Sequence, residues 1–175
     1  IEGAPELCMW RATTDNDGIR GWSGQESKPM GQWMAEGFPD FHCMEKSMDL
    51  FPSDGKCEIR LHAVHAGKGS EKKIRHQQTI TLFADGSIQF DNVIQADTRL
   101  PSLPRIGVTL KTTHGFENLK WFGRGPWENH IDRKAGCPVG LYSGSVDEQY
   151  VPYLLPQENG NKCEVRWFEL GNGRN

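Results

Sequence analysis

Two short stretches of this chain combine aromatic, carboxylate and amide side chains in a pattern that could bind or transform a polar ligand. The first, residues 121–133, contains Gly123, Gly125 and Pro126. It predicts a sharply bent loop, because glycine admits backbone conformations closed to other residues and proline fixes one backbone angle. The second spans residues 151–160, and each stretch carries a Glu-Asn pair shortly after a proline.

The side chains of these stretches suit recognition of a sugar. An aromatic ring can stack on a pyranose, while carboxylates and amides exchange hydrogen bonds with hydroxyl groups. The candidate carbohydrate-binding residues are Trp127, Glu128, Asn129, Glu158 and Asn159. A simpler alternative stays open: these polar groups only hold the backbone of two loops in place.

A second prediction concerns the charges around the first loop. Charged groups beside large aromatic rings are tolerated when they are paired, and loss of one partner of a buried pair costs on the order of 3–5 kcal/mol. We therefore expect a structural network that includes Glu128 and a partner from an N-terminal turn. Its further members are Asp15 or Asp17, Arg124, Asp132 and Arg133.

The sequence predicts no metal site. Asp15, Asn16 and Asp17 are contiguous, whereas an EF-hand loop alternates its ligands, so calcium has little support here. The five cysteines contain no C-x-x-C unit, which argues against both a zinc site and a disulfide framework. A cation at residues 15–17 or 156–158 is left as an open alternative.

Composition narrows the class of protein. The 175 residues fit one domain, and the net charge of −3 comes without a basic stripe, so nucleic-acid binding is not expected. No apolar run reaches the length of a membrane span. The chain begins at Ile1 and shows no export signal, which leaves a cytoplasmic and a periplasmic location equally open.

Twenty glycines and ten prolines indicate many short elements joined by turns, as in an all-β protein. One short helix is predicted at residues 28–36, with Met30, Trp33 and Met34 packing into the core. Three histidines on the strands, His62, His65 and His76, are expected to be exposed or hydrogen-bonded rather than metal ligands. The predicted strands are 42–50, 57–64, 74–83, 88–94, 105–111, 118–122, 139–146 and 163–170.

Four motifs, taken in order, resemble the small-chain domain (domain 5) at the C-terminal end of glycoside hydrolase family 2 β-galactosidases. They are WRATTDNDG at residues 10–18, LPRIG at 103–107, WFGRGPWENHIDR at 121–133, and YVPY with PQENG at 150–160. The resemblance covers essentially all of residues 1–175. The family usually has Pro where this chain has Thr13 and Tyr where it has His130.

The resemblance implies an antiparallel β-sandwich of the galactose mutarotase-like supersandwich type, with residues 1–175 as a partial domain truncated at its C-terminal end. It implies a parent polypeptide that hydrolyses terminal non-reducing β-D-galactose residues with retention of configuration. The catalytic glutamates of this family lie in a preceding barrel, so no catalytic residue is expected here. This piece would instead pack on the barrel and shape the rim of the active site.

The resemblance also implies partners and cofactors. The partners are the remaining domains of the parent enzyme and a carbohydrate substrate. The family typically uses Mg and Na ions, but we expect no cofactor in this fragment. Because the last predicted strand, residues 163–170, would lie at a sheet edge, we expect it to pair with a second copy or to leave an exposed apolar patch.

Two rival functions remain at this stage. A free-standing carbohydrate-binding module would use Trp127, Trp22 or Tyr153 as its stacking platform. A mutarotase-like enzyme would use His130 with Glu158 as its acid–base pair.

Overall fold

The computed structural model describes residues 1–19 and 27–173. The chain divides into two compact units. Unit 1 comprises Ile1–Glu6, Ala12–Thr14 and Thr109–Asn175, and unit 2 comprises Leu7–Arg11 and Asp15–Val108.

Strands dominate both units. In chain order they are β1 (Glu6–Cys8), β2 (His42–Ser53), β3 (Lys56–Ala66), β4 (Ile74–Phe83), β5 (Ile88–Ala96), β6 (Gly107–Thr109), β7 (Asn118–Arg124), β8 (Val139–Ser145) and β9 (Trp167–Gly171). The described part of the chain has one α-helix, α1 (Pro29–Ala35), and short 3₁₀ turns at Asp15–Asp17, Phe38–Asp40 and Asp147–Gln149. This antiparallel, strand-dominated content confirms the predicted all-β class with one short helix.

Unit 2 is built on a four-stranded antiparallel sheet in the order β2-β3-β4-β5. Its hairpin turns contain Gly55 and Gly86, whose φ angles of 74° and 87° favour glycine. Alternation along β3 produces the two faces of the sheet, with Leu61 and Ala63 buried and His62 exposed.

The core of unit 2 gathers large side chains from distant parts of the sequence. Met9, Trp33, Phe38 and Ile74 are almost completely buried and form one cluster. Trp33 also donates its indole N–H to the carbonyl of Ser102 at 2.5 Å. The predicted helix is confirmed, but the prediction that Met34 packs into the core is wrong: its side chain is 52 % exposed.

Unit 1 contains a three-stranded antiparallel sheet in the order β8-β7-β9. Trp121 of β7 is buried, and its ring lies 5.5 Å from that of Tyr142 and 5.2 Å from the ammonium group of Lys162. Its indole N–H donates to the carbonyl of Arg124 at 3.1 Å. Strand β9 lies at an edge of this sheet and exposes Trp167 and Phe168.

Several strands begin or end at other residues than predicted. Strand β2 continues to Ser53, beyond the predicted end at residue 50. The strand predicted at 105–111 is shorter in the structure, where it is β6, and Ile106 and Leu110 lie outside it and are exposed. The strand predicted from residue 163 begins only at β9, because Glu164 has a φ of 53°, which interrupts an extended backbone.

The histidine prediction is only partly right. His62 is exposed, and His76 is buried with its Nε2 2.9 Å from Oδ1 of Asn92. His65, however, is buried against the ring of Phe41, and its Nδ1 has no hydrogen-bond partner among the described residues. Burial is therefore the main reason that the pKa of His65 is lowered; the nearby charges of His76, Lys46 and His42 lower it further.

No helix in residues 1–19 or 27–173 is both long enough and apolar enough to cross a membrane.

Candidate functional site

The loop predicted at residues 121–133 begins inside a strand, because Trp121 to Arg124 belong to β7. The bend that follows depends on close approach of the backbone to neighbouring groups. A Cβ atom on Gly123 would lie 2.8 Å from Cα of Val165, and one on Gly125 would lie 2.7 Å from the ring of Tyr142. Both positions therefore require glycine, as the sequence indicated.

Glu128 lies at the centre of the site and is 8 % exposed. One carboxylate oxygen accepts hydrogen bonds from the Tyr153 hydroxyl and from Nη2 of Arg133, the latter at 2.5 Å. The other accepts the backbone N–H of Gly160 at 2.7 Å. This single side chain thus joins residues 121–133 to residues 151–160.

These contacts decide how the carboxyl group titrates. Burial alone would raise the pKa of Glu128, but the hydrogen bonds from Tyr153, Gly160 and Arg133 outweigh it and hold the pKa below its ordinary value. The hydrogen bond between Tyr153 and Glu128 also raises the pKa of the Tyr153 hydroxyl, because the phenol donates to a carboxylate. Glu128 is therefore a permanent anion near neutral pH.

Asn129 is completely buried and makes a second link between loops. Its backbone N–H donates to the carbonyl of Asn161 at 2.8 Å, and the Asn161 side-chain amide donates back to the Asn129 carbonyl at 2.7 Å. Its own amide oxygen accepts the N–H of Cys163 at 2.7 Å, and its Nδ2 donates to the carbonyl of Trp127 at 3.0 Å. Every polar group of Asn129 is therefore hydrogen-bonded to another group of the protein.

Charged side chains of the first loop take part in two clusters. Arg133 pairs with Glu128 in the first. Arg124 organises the second: its guanidinium donates to Glu164 at 2.9 Å and to the carbonyls of Lys134 and Cys137 at 3.1 and 2.9 Å. Lys134 also pairs with Glu164 at 2.6 Å, and these contacts lower the pKa of that carboxyl group.

The acidic members of the predicted network are placed as follows. Asp132 is exposed near the tip of the loop. Asp17 is buried and forms a two-pronged ion pair with Arg11, at 2.6 and 2.9 Å. A link between Asp15 or Asp17 and the loop stays a prediction.

The remaining sugar-binding candidates differ in their exposure to solvent and in the hydrogen bonds that they make within the protein. Trp127 is 72 % exposed. Glu158 accepts the N–H of Ala12 at 3.1 Å and is half-buried. Asn159 is also half-buried; it accepts the N–H of Val151 at 3.2 Å and donates to the carbonyl of Gln157 at 3.1 Å. Among the two proposed alternative platforms, Tyr153 uses its hydroxyl on Glu128, and Trp22 lies outside the described residues.

Comparison with known proteins assigns the chain to a family. The family model for the β-galactosidase small chain matches residues 1–175. The chain belongs to that family.

Individual β-galactosidases are also similar to this chain. A β-galactosidase from Vibrio cholerae is 30 % identical over 166 residues, which cover 93 % of this chain and 16 % of that protein. One from Halalkalibacterium halodurans is 31 % identical over 97 % of this chain and 16 % of its own length. One from Priestia megaterium is 44 % identical over 94 residues, which are 54 % of this chain and 9 % of the relative. The chain thus spans about a sixth of the length of the Vibrio cholerae and Halalkalibacterium halodurans enzymes.

The small-chain domain holds its two loops together with residues that the sequence did not single out for this role. Tyr153, Asn161, Cys163 and Glu164 all contact the first loop from 20 to 40 positions away in the sequence. No local pattern reveals such pairings, because they depend on which loops the fold brings together.

His130 lies 3.9 Å from the Glu128 carboxylate, too far for a hydrogen bond. Within the described residues, no group of three or more His, Cys, Asp or Glu side chains is placed to hold a metal ion.

Proposed function

We propose that this chain is the non-catalytic small-chain region of a β-galactosidase whose complete polypeptide hydrolyses terminal β-D-galactosyl residues with retention. The observation that carries the proposal is the state of Glu128. It is the buried carboxylate of the most distinctive motif, yet both its oxygens are committed to protein donors.

A retaining glycosidase needs two carboxyl groups about 5–5.5 Å apart, one of them protonated when the glycosidic bond breaks. A general acid of this kind has a raised pKa, whereas the pKa of Glu128 is lowered. Glu158, the other candidate, accepts a backbone N–H. Both glutamates therefore fit a structural role, and the reactive pair is proposed to reside in the rest of the parent enzyme.

The two joined loops are proposed to shape the rim of the active site of the parent enzyme. Glu128 and Asn129 fix the backbone on the C-terminal side of Trp127, while the ring of Trp127 extends into solvent. A fixed, exposed indole is suited to stacking on a sugar. Of the five carbohydrate-binding candidates, Trp127 is the one whose side chain the described structure leaves most available, so we propose it as the contact to substrate.

The runner-up, a free-standing carbohydrate-binding module, also relies on Trp127. It is less well supported, because two of its proposed hydrogen-bonding residues, Glu128 and Asn129, are saturated by the protein itself. The mutarotase-like alternative is also less well supported, because Glu158, the proposed partner of His130, accepts the backbone N–H of Ala12. We further propose that any Mg or Na ion required for activity serves the parent enzyme and is bound outside this piece.

Self-association is a separate part of the proposal. Strand β9 lies at a sheet edge with Trp167 and Phe168 exposed, and an unpaired edge with apolar side chains favours pairing with another chain. A closed two-fold dimer is the commonest result. Light scattering should give the mass of a dimer at high concentration. A monomer at every concentration, with no binding of a hydrophobic dye, would contradict this part.

The proposed parent is tested most simply by reading the DNA that adjoins the codon for Ile1. A continuous upstream reading frame that encodes a barrel with two glutamates at its mouth is the expected result. A secretion signal placed directly before Ile1 would instead support the carbohydrate-binding module.

A further inference from the structure

A cleft of about 310 Å³ lies on the four-stranded sheet of unit 2. Pairing across β2, β3 and β4 places Glu45 opposite Val64 and Val64 opposite Arg75. These three side chains form a row across the sheet. The next row along the strands consists of Ser47, His62 and Gln77.

The shape of the cleft follows from sheet geometry. Adjacent strands are about 4.8 Å apart, so Glu45 and Arg75, which are separated by one strand, stand roughly 10 Å from each other at the backbone. Val64 between them is short and half-buried, and it forms a low apolar floor. The register of β2 shifts between Cys43 and Glu45, an irregularity of the kind that redirects side chains beside binding sites.

The polar groups of the cleft do not neutralise one another. Within the part of the chain that the structure describes, no side-chain hydrogen bond or ion pair is made by Glu45, Ser47, His62, Arg75 or Gln77. The same sheet face shows the ordinary alternative a few residues away, where Glu58 pairs with Lys56 at 2.8 Å and with Arg60 at 3.0 Å. Ion pairs therefore form on this face outside the cleft, whereas these polar side chains of the cleft make none.

We propose that this cleft binds a single pyranose ring. A carboxylate only accepts hydrogen bonds and a guanidinium only donates them, so a ligand that bridges Glu45 and Arg75 must donate at one end and accept at the other. A hydroxyl group does both, and the ring carries several. Ser47, His62 and Gln77 are neutral partners that can exchange further bonds with such groups, and the opposite charges of Glu45 and Arg75 match a ligand without net charge.

The ring also suits the floor and the size of the cleft. Its less polar face can rest on Val64, while its hydroxyl groups reach the polar rows on either side. A volume near 300 Å³ is at the small end of ligand sites, as expected for one sugar ring rather than an oligosaccharide. The polar side chains Glu45, Ser47, His62, Arg75 and Gln77 are exposed, so binding should be weak, on the order of millimolar. This inference does not depend on the proposed function, since it concerns other residues and no reaction.

The test is an NMR titration of the ¹⁵N-labelled full chain with D-galactose. The expected result is saturable shifts of the amide signals of His62, Val64 and Gln77, with binding at least tenfold weaker in Arg75→Ala. The matched control is Arg60→Ala, which removes an arginine from the same sheet face outside the cleft and should leave binding unchanged. Unaltered signals elsewhere in each spectrum establish that the variants fold.

Two results would overturn the proposal. The first is the absence of saturable shifts at these positions, or an equal loss of binding in the two arginine variants. The second is a parallel titration in which inorganic phosphate saturates the same signals at lower concentration than galactose, since that would make the cleft an anion site.

Discussion

The replacement Glu128→Gln should destabilise the chain far more than its small change in shape suggests. The carboxylate accepts from Tyr153, Arg133 and the N–H of Gly160. An amide in its place keeps one acceptor oxygen but turns an N–H₂ group toward donors. At least one of these donors then loses its partner.

The magnitude follows from burial of the two partners. Breaking a fully buried ion pair costs on the order of 3–5 kcal/mol, but the Arg133 side chain is 61 % exposed, so water compensates much of the lost attraction. Hydrogen bonds to a charged group contribute about 1.5–3 kcal/mol. We therefore expect the free energy of unfolding to fall by about 2–3 kcal/mol.

Urea unfolding at pH 7, combined with amide hydrogen exchange at Gly160, measures this loss. The matched control is Glu58→Gln, which removes a more exposed carboxylate that also contacts two basic side chains, Lys56 and Arg60. It should change stability little, because exposed ion pairs contribute little. Similar urea midpoints for the two variants, with unaltered exchange at Gly160, would refute the view that Glu128 holds the loops together.

Two further predictions concern other groups. Arg124→Ala should lower the melting temperature much more than Lys46→Ala, because Arg124 bonds Glu164 and two backbone carbonyls whereas Lys46 is exposed; equal, small shifts would count against a structural cluster at Arg124. Because the pKa of His65 is lowered, the folded state binds a proton at this side chain less readily than the unfolded state does. The stability contributed by neutral His65 should therefore be fully present above its ordinary pKa of 6.5 and should decline as the pH falls below that value. His65→Phe, which can still stack on Phe41, should flatten the pH dependence of urea unfolding, and an unchanged profile would show that His65 is not its source.

The sequence predicted the elements well where local signals were strong. Both ends of strand β4 were predicted correctly, because its long alternating pattern is followed by an Asp-Gly turn. The glycines of the first loop were also read correctly as points of close approach. In contrast, the start of the last strand was placed too early, because Glu164 adopts a positive φ, which is uncommon for a residue other than glycine.

The candidate site was predicted as a set of residues but not as an arrangement. The composition of residues 121–133 suggested either sugar binding or backbone support, and the sequence could not choose between them. The choice for Glu128 and Asn129 depends on Tyr153, Gly160 and Asn161, which meet them only in the folded chain. Such long-range pairing is a property of the fold, so local patterns do not reveal it.

Hydrolysis of a chromogenic β-galactoside by the purified chain tests the central claim most directly. The account predicts no turnover above the blank, because Glu128 is a committed anion and the reactive carboxyl pair is proposed to lie elsewhere in the parent enzyme. Turnover that disappears in Glu128→Gln or in Glu158→Gln would contradict it, since it would make one of these glutamates part of the catalytic apparatus.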